Sequence, residues 1–281
     1  MSADLRGAAA VIGVAESDLG QVEPGVTAVD LAAQASARAL SDAGLTTRDV
    51  DGLFCVIGGK LMSTLDMGEY LGIRSRYTDS TMIGGSAFVS HLHHAALALA
   101  AHACDVALIT YGSTARSDSG RGRLSGPAQP EQPNYEVEFG PRSPVSGYAL
   151  AAARHMHEYG TTREQLAEVA VAARQWAGLN PKAFKREPIT VEDVIGRPMI
   201  SSPFGSLDCC LVTDGGGAAV VVRADRAGDG PKPPVYLLGA GEAHWHKSIS
   251  QMPDLTTTAT VDSAARAFAM AGLTPTDVDV V

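Results

Sequence analysis

The chain has 281 residues, 45% hydrophobic and 19% charged, enough to bury one large or two medium cores without staples. Its net charge of -9 excludes the basic footprint of bulk nucleic-acid binding, so a polyanionic ligand would need a local basic patch. No apolar run reaches the roughly 20 residues of a membrane helix, MSADLRG lacks signal-peptide character, and Cys55, Cys104, Cys209 and Cys210 lie in apolar contexts; the expectation is a reduced, soluble, cytoplasmic protein.

Ala8 to Val14 reads as a strand, and Thr27 to Ala43 as a helix of small residues stopped by Gly44, suited to packing close on a sheet. Gly52 to Ile57 is a second strand, Thr64 to Leu71 an acidic amphipathic stretch, and Thr81 to Ser86 a further strand. A helix over Ala87 to His102 then leads to a strand over Asp105 to Tyr111. This alternation predicts an α/β domain with a mostly parallel open sheet. From Arg116 to Pro144, Ser, Gly, Pro, Gln and Arg dominate and no period survives. Gly147 to Tyr159 and Thr162 to Asn180 read as helices. NPKAFKREPITVEDVI leads on to a strand-like Cys209 to Arg223, with Leu207 to Val212 buried and a tight turn at Asp214 to Gly217. Ala224 to Pro234 has the composition of a linker.

The chain also repeats itself. ARALSDAGLTTRDVDGLFCVIGG, from Ala37 to Gly59, recurs as ARAFAMAGLTPTDVDVV, from Ala265 to Val281. Upstream, VIGVAES is echoed by LLGAGEA, with Gly13 opposite Gly239 and Glu16 opposite Glu242. The expected organisation is a first half from residues 1–115 and 200–225, a helical insertion at 116–199, and the start of a second half at 226–281, most of which is missing.

Four stretches carry a family likeness: VIGVAESDLG, NPKAFKREPITVEDV, SPFGSLDCCLVTDGGGAAVVV, and ALSDAGLTTRDVDGL with its echo. In this order they resemble the thiolase superfamily, in the branch of sterol-carrier-protein-x thiolases and lipid-transfer-protein thiolase-like aldolases. The resemblance implies a duplicated α/β fold of α-β-α-β-α layers, its second half incomplete here, with full-length relatives running past Val281. It also implies acyl-CoA substrates with coenzyme A as part of the substrate and no other cofactor, a homodimer whose interface the Ser80 to Ala87 strand borders, and a small OB-fold (DUF35-type) protein as a second partner. The second-half His, Asn or Tyr motifs and the Cys-x-His-Pro loop of the relatives are not in this sequence.

The informative departure is in Ser80-Thr81-Met82-Ile83-Gly84-Gly85-Ser86-Ala87. Thiolases place a nucleophilic Cys here, at a helix N-terminus whose amides and positive end favour the thiolate. Counting back from Asp105-Val106 puts that position at Gly85, and glycine cannot accept an acyl group. The same helix start can still hold a thioester oxygen as it becomes an enolate. The expected activity is therefore retro-aldol cleavage of a bulky β-hydroxyacyl-CoA of the steroid side-chain type. Two alternatives stand: a thiolytic acyltransferase using a Cys from the missing part, and a catalytically silent acyl-CoA-binding subunit.

Gly85, Ser86 and His246 are the catalytic candidates, Ser86 being open to a helix-cap reading as well. In the family the loop after the second-repeat strand lies along the pantetheine arm, so His244, His246, Lys247, Ser248 and Ser250 match positions that touch substrate or else form a surface loop. Lys182, Lys185 and Arg186, the densest basic cluster, stand where relatives hold the CoA nucleotide, or form a solvated face. His91, His93 and His94 show no carboxylate or Cys at ligand spacing, so they read as packing or interface residues and no metal is expected. Cys209 and Cys210 read as inert buried thiols, and the glycine run after Asp214 lacks a phosphate-loop frame.

Overall fold

The computed structural model describes residues 5–58, 60–118, 135–140 and 144–281, so most of the expected excursion at 116–144 lies outside the described residues. In chain order the elements are β1 (Ala9–Glu16), α1 (Ala28–Asp42), β2 (Gly52–Cys55), α2 (Ser63–Leu71), β3 (Tyr77–Asp79), α3 (Ala87–Ala100), β4 (Val106–Ser113) and the short α4 (Ala115–Asp118). There follow α5 (Val145–Tyr159), α6 (Arg163–Leu179), α7 (Val191–Ile195), β5 (Met199–Ser201), β6 (Phe204–Gly205), β7 (Gly215–Arg223), β8 (Val235–Tyr236) and α8 (Thr260–Ala271). They fall into two compact units, one of residues 1–121, 213–243 and 260–281, the other of 122–212 and 244–259.

The first unit is built on a six-stranded sheet in the order β3-β2-β4-β7-β1-β8. The sheet is mixed, not mostly parallel: β3, β2 and β4 are parallel, whereas β7 runs antiparallel to both β4 and β1, and β8 antiparallel to β1. Strand β7 returns from a distant part of the chain and enters the middle of the sheet, a placement that local alternation cannot reveal. The inner strands are apolar at successive positions because both faces are covered. Leu53, Val106, Leu108, Val220 and Val222 pack with α1 and α2, while Phe54, Ala107, Ile109 and Val221 point the other way onto α3.

Small residues let α1 lie against this sheet. Its first turn is closed by a capping box in which the Asp30 amide donates to the Thr27 hydroxyl (3.2 Å) and the Thr27 amide donates to the Asp30 carboxylate (2.8 Å). Gly44, at φ 71°, ends it in the left-handed region. Ala32, Ala35 and Ala39 have no exposure, and a Cβ at Gly112 of β4 would collide with the Ala28 carbonyl. The approach is thus set by backbone against backbone.

The second repeat reuses several of these contacts, although residues 237–243 and 278–281 form no strand there. Gly13 lies against the Ala39 carbonyl and the Ala43 amide, and Gly239 lies against the Ala267 carbonyl and the Ala271 amide. Arg38 donates to the Glu16 carbonyl (3.1 Å), and Arg266 donates to the Glu242 carbonyl (2.8 Å). Gly44 and Gly272 both take positive φ, and Thr46–Asp49 and Thr274–Asp277 form matching capping boxes on short 3-10 turns. Sequence pairing of Gly13 with Gly239 and Glu16 with Glu242 therefore corresponds to shared contacts.

In the second unit, α6 is capped by Thr162 and Gln165 and α7 by Thr190 and Asp193. Arg163, in the first turn of α6, grips Asp208 through two 3.0 Å hydrogen bonds, and Asp208 also accepts from the Gly205 amide at 2.7 Å.

Three local expectations differ from the structure. The strand expected over Thr81 to Ser86 is β3, ending at Asp79, and residues 80–86 are a connecting segment. Leu207 to Val212 is not a buried strand: Leu211 is 52% exposed and Cys210 is exposed. Gly215, Gly216 and Gly217 are β7 itself, not a turn, and the glycines admit the Leu31 backbone of α1 and the Leu19 side chain. Asp214 is fully buried and accepts from the amides of Val22 (3.0 Å), Arg116 (2.8 Å) and Ser117 (3.0 Å) and from the Ser117 hydroxyl. Burial alone would raise its carboxyl, but these hydrogen bonds outweigh it and hold the group below its ordinary value.

Two outcomes follow from this packing. Gly112→Ala is expected to lower the urea-unfolding free energy by about 2–3 kcal/mol, since α1 must move away from β4 to admit the methyl. Because Asp214 titrates lower folded than unfolded, its ionised form stabilises the fold above about pH 4, and this contribution is lost as pH falls through the lowered folded value. Asp214→Asn should cost about 2 kcal/mol at pH 7 and flatten the acid limb of a urea-midpoint profile.

Candidate active site

Parallel β3, β2 and β4 direct their carboxyl ends to one edge of the sheet, the edge at which open α/β sheets bind ligands, and α3 starts there after β3. The joining segment, residues 80–86, is anchored at its head. The Asp79 carboxylate accepts from the Thr81 amide (2.6 Å), the Ser80 and Thr64 hydroxyls meet at 3.2 Å, and His91 Nε2 lies 3.1 Å from the Thr81 carbonyl as its donor. The far end is open. Gly84 takes φ 86°, Gly84, Gly85 and Ser86 are exposed, and a Cβ at Gly85 would meet nothing within 4 Å. A cysteine would fit there without strain, so the glycine is not imposed by packing.

Ser86 occupies the N-cap of α3 with helical backbone angles, φ -77° and ψ -5°, and its side chain makes no capping bond. The cap reading of its hydroxyl is corrected accordingly, because a helical rather than extended backbone aims the side chain away from the first-turn amides. The thiols of this unit offer no substitute nucleophile. Burial pushes both Cys55 and Cys104 up to about 12.

The histidines of α3 do have carboxylates beside them. His94 Nδ1 lies 2.5 Å from Asp79 and its Nε2 3.2 Å from Glu242, while His93 Nδ1 lies 2.8 Å from the same Glu242 oxygen. Both carboxyls sit lower than usual: burial opposes this, and hydrogen bonds from Thr81 and His94 to Asp79, and from His93 and Ser90 to Glu242, outweigh it. His91 is wholly buried between Phe54 and Phe88 and burial lowers its basicity, so it stays neutral. Sequence spacing missed the group because Asp79 precedes the helix and Glu242 comes from the other repeat. The one available signal was the alignment of Glu242 with Glu16.

The remaining candidates belong to the second unit, apart from Gly85 and Ser86. His244, His246 and Lys247 are exposed, Ser248 is half-buried, and Ser250 is exposed with its amide donating to Glu136 (2.7 Å). Lys182, Lys185 and Arg186 share an exposed connection after α6, where the Lys182 amide donates to the Asn180 side chain (2.9 Å). Arg186 donates to the Gly178 carbonyl (3.0 Å), which satisfies the end of α6. In the first unit, a cleft of about 360 Å³ is lined by Asp18, Glu23 and Asp30, a carboxylate lining that repels phosphate groups.

A profile of the thiolase C-terminal domain-like family matches residues 241–281. The chain is 32% identical to a steroid side-chain-cleaving aldolase of Thermomonospora curvata, over 98% of this chain and 73% of that protein. The chain belongs to the thiolase superfamily. Within it, an acetyl-CoA acetyltransferase of Methanothermobacter thermautotrophicus is also 32% identical, over 97% of this chain and 72% of its own. A 17-hydroxy-3-oxo-4-pregnene-20-carboxyl-CoA lyase of Mycobacterium tuberculosis is 30% identical over 98% and 74%. Among solved structures, the Ltp2-ChsH2(DUF35) aldolase superposes with a TM-score of 0.87 at 32% identity, covering 98% of this chain and 72% of that one. The thiolase-like α/β fold read from the sequence is thus the fold of this chain.

Since the Ser86 hydroxyl makes no capping bond, Ser86→Ala is expected to leave the thermal midpoint within the equivalent of about 0.5 kcal/mol of the parent. A loss of more than about 1 kcal/mol, the usual effect of removing a serine cap, would contradict the described geometry.

Proposed function

We propose that this thiolase-superfamily protein is a lyase that cleaves a bulky β-hydroxyacyl-CoA of the steroid side-chain type by a retro-aldol reaction. The observation that carries this reading is Gly85: an open, unobstructed helix start of the kind that holds a nucleophilic cysteine in thiolases, here with a glycine and no thiol at that position. The steroid aldolase and the pregnene-carboxyl-CoA lyase to which the chain is similar support the substrate class.

In such a reaction a base removes the proton of the β-hydroxyl and the Cα–Cβ bond breaks. The electron pair passes into an enolate of the thioester, a carbonyl compound leaves, and protonation at Cα gives the shorter acyl-CoA. The part of this chain is to present amides of the 84–86 segment and the positive end of α3 to the thioester oxygen as charge develops on it. In the same reading Lys182, Lys185 and Arg186 meet the CoA phosphates, and His244, His246, Lys247, Ser248 and Ser250 border the pantetheine arm, with Ser86 and His246 beside the reacting groups. A homodimer and a small OB-fold (DUF35-type) partner belong to this proposal, the latter supported by the composition of the similar aldolase complex. So does a cytoplasmic location; no described helix is long and apolar enough to cross a membrane.

Similarity to an acetyl-CoA acetyltransferase at equal identity favours one rival, thiolysis, which consumes free CoA and passes through an acyl-enzyme. Incubation with a β-hydroxyacyl-CoA should release a carbonyl compound and a shortened acyl-CoA without added CoA, and mass spectrometry should find no acyl adduct on the protein. Turnover that requires free CoA, or an acylated cysteine, would establish the rival. Gly85→Cys is expected to acquire an acyl adduct from acyl-CoA that the parent lacks.

A further inference from the structure

His94 stands between two carboxylates from different parts of the chain. Its Nδ1 faces Asp79 at 2.5 Å and its Nε2 faces Glu242 at 3.2 Å, and all three side chains are at most 24% exposed. Only a ring protonated on both nitrogens makes both contacts hydrogen bonds, since each carboxylate is an acceptor alone. Polar groups on the neighbouring elements fit this arrangement. From β3 the Tyr77 phenol is pushed up, by burial first and then by Asp79. On α3, His91 is neutral and turned to the Thr81 carbonyl, and His93 and Ser90 bond Glu242. From α8, Arg266 holds the Glu242 backbone carbonyl at 2.8 Å.

Asp79 is also the residue whose carboxylate fixes the Thr81 amide, at the head of the segment that ends in Gly84, Gly85 and Ser86. One side of that carboxylate therefore orients the segment, and the other is oriented by His94.

The geometry assigns to His94 the role of a positioning residue: it bridges Asp79 to Glu242 and so couples the second repeat to the segment that presents amides to a CoA thioester. The assignment rests on the reading of residues 84–86 as the thioester-polarising element. Without its ring proton on Nε2, His94 would leave Glu242 without that hydrogen bond, and the second repeat would lose its link to Asp79.

The test is an NMR titration of the full chain labelled with ¹⁵N, followed at the histidine rings and the backbone amides. The His94 ring seated between the two carboxylates should carry protons on both nitrogens, and the amide shifts of Gly84, Gly85 and Ser86 should change together with that ring when its second proton is titrated away. His94→Gln should flatten those amide titrations, whereas His93→Gln should leave them in place. A singly protonated His94 ring between the two carboxylates, or amides at 84–86 indifferent to its titration, would overturn the assignment. Should His94→Gln fail to fold, Glu242→Gln reads the same bridge by changing the chemical shift of the His94 Nε2 nitrogen; an unchanged Nε2 signal would overturn it. Acetyl-CoA added to the same samples separates the two readings. Amides that follow His94 but ignore acetyl-CoA keep the bridge and remove the thioester site, and amides that respond to acetyl-CoA but not to His94 remove the bridge.

Discussion

The contact between an alanine-rich helix and a glycine-bearing sheet is the constraint on which the first unit depends. Where Gly112 and Gly13 face α1, and where Gly239 faces α8, the helix backbone occupies the space a Cβ would fill. Interiors at this density transmit rather than absorb a change of one methyl group. Burial of Ala32, Ala35 and Ala39 then fixes the helix face, and the arginine, glycine and capping-box positions that follow recur in both repeats because they complete the same packed unit.

From this constraint the site follows in order. A sheet held between α1 and α3 directs β2, β3 and β4 toward one edge, and α3 must begin where β3 stops. The seven-residue connection is tied down through Asp79, Ser80 and Thr81 and open at Gly84, Gly85 and Ser86. Rigid at one end and accessible at the other, it suits an element that presents fixed dipoles to a bound group, and electrostatic preorganisation of this sort needs no covalent partner. On the proposed function, a glycine at residue 85 in place of a thiol would remove one half of a thiolase's chemistry and spare the other.

Much of the fold was legible because its signals are local. Gly44 after a run of small residues marks the end of α1, Thr162 marks the start of α6, and the echo of Gly-Leu-Thr fixes the repeat. The direction of β7 was not legible, since antiparallel entry between β4 and β1 is decided by non-local pairing. Apolar Leu211 and Val212 suggested burial yet lie exposed, and Gly215 to Gly217 suggested a turn yet form a strand whose missing side chains admit α1 and Leu19. Of the candidate site, Gly85 was singled out by counting along the motif, and it lies in the open connection before α3. The carboxylates around His93 and His94 were not, because Asp79 and Glu242 reach those rings only once both repeats have folded.

On the proposed function, this helix start polarises a thioester without forming a bond to it. Isotope-edited infrared difference spectroscopy on an acyl-CoA carrying ¹³C at its thioester carbonyl reads that polarisation directly. The bound carbonyl stretch is expected to move to lower frequency than in solution while the thioester stays intact. An unshifted band, or its replacement by the carbonyl of an acyl-protein, would contradict it.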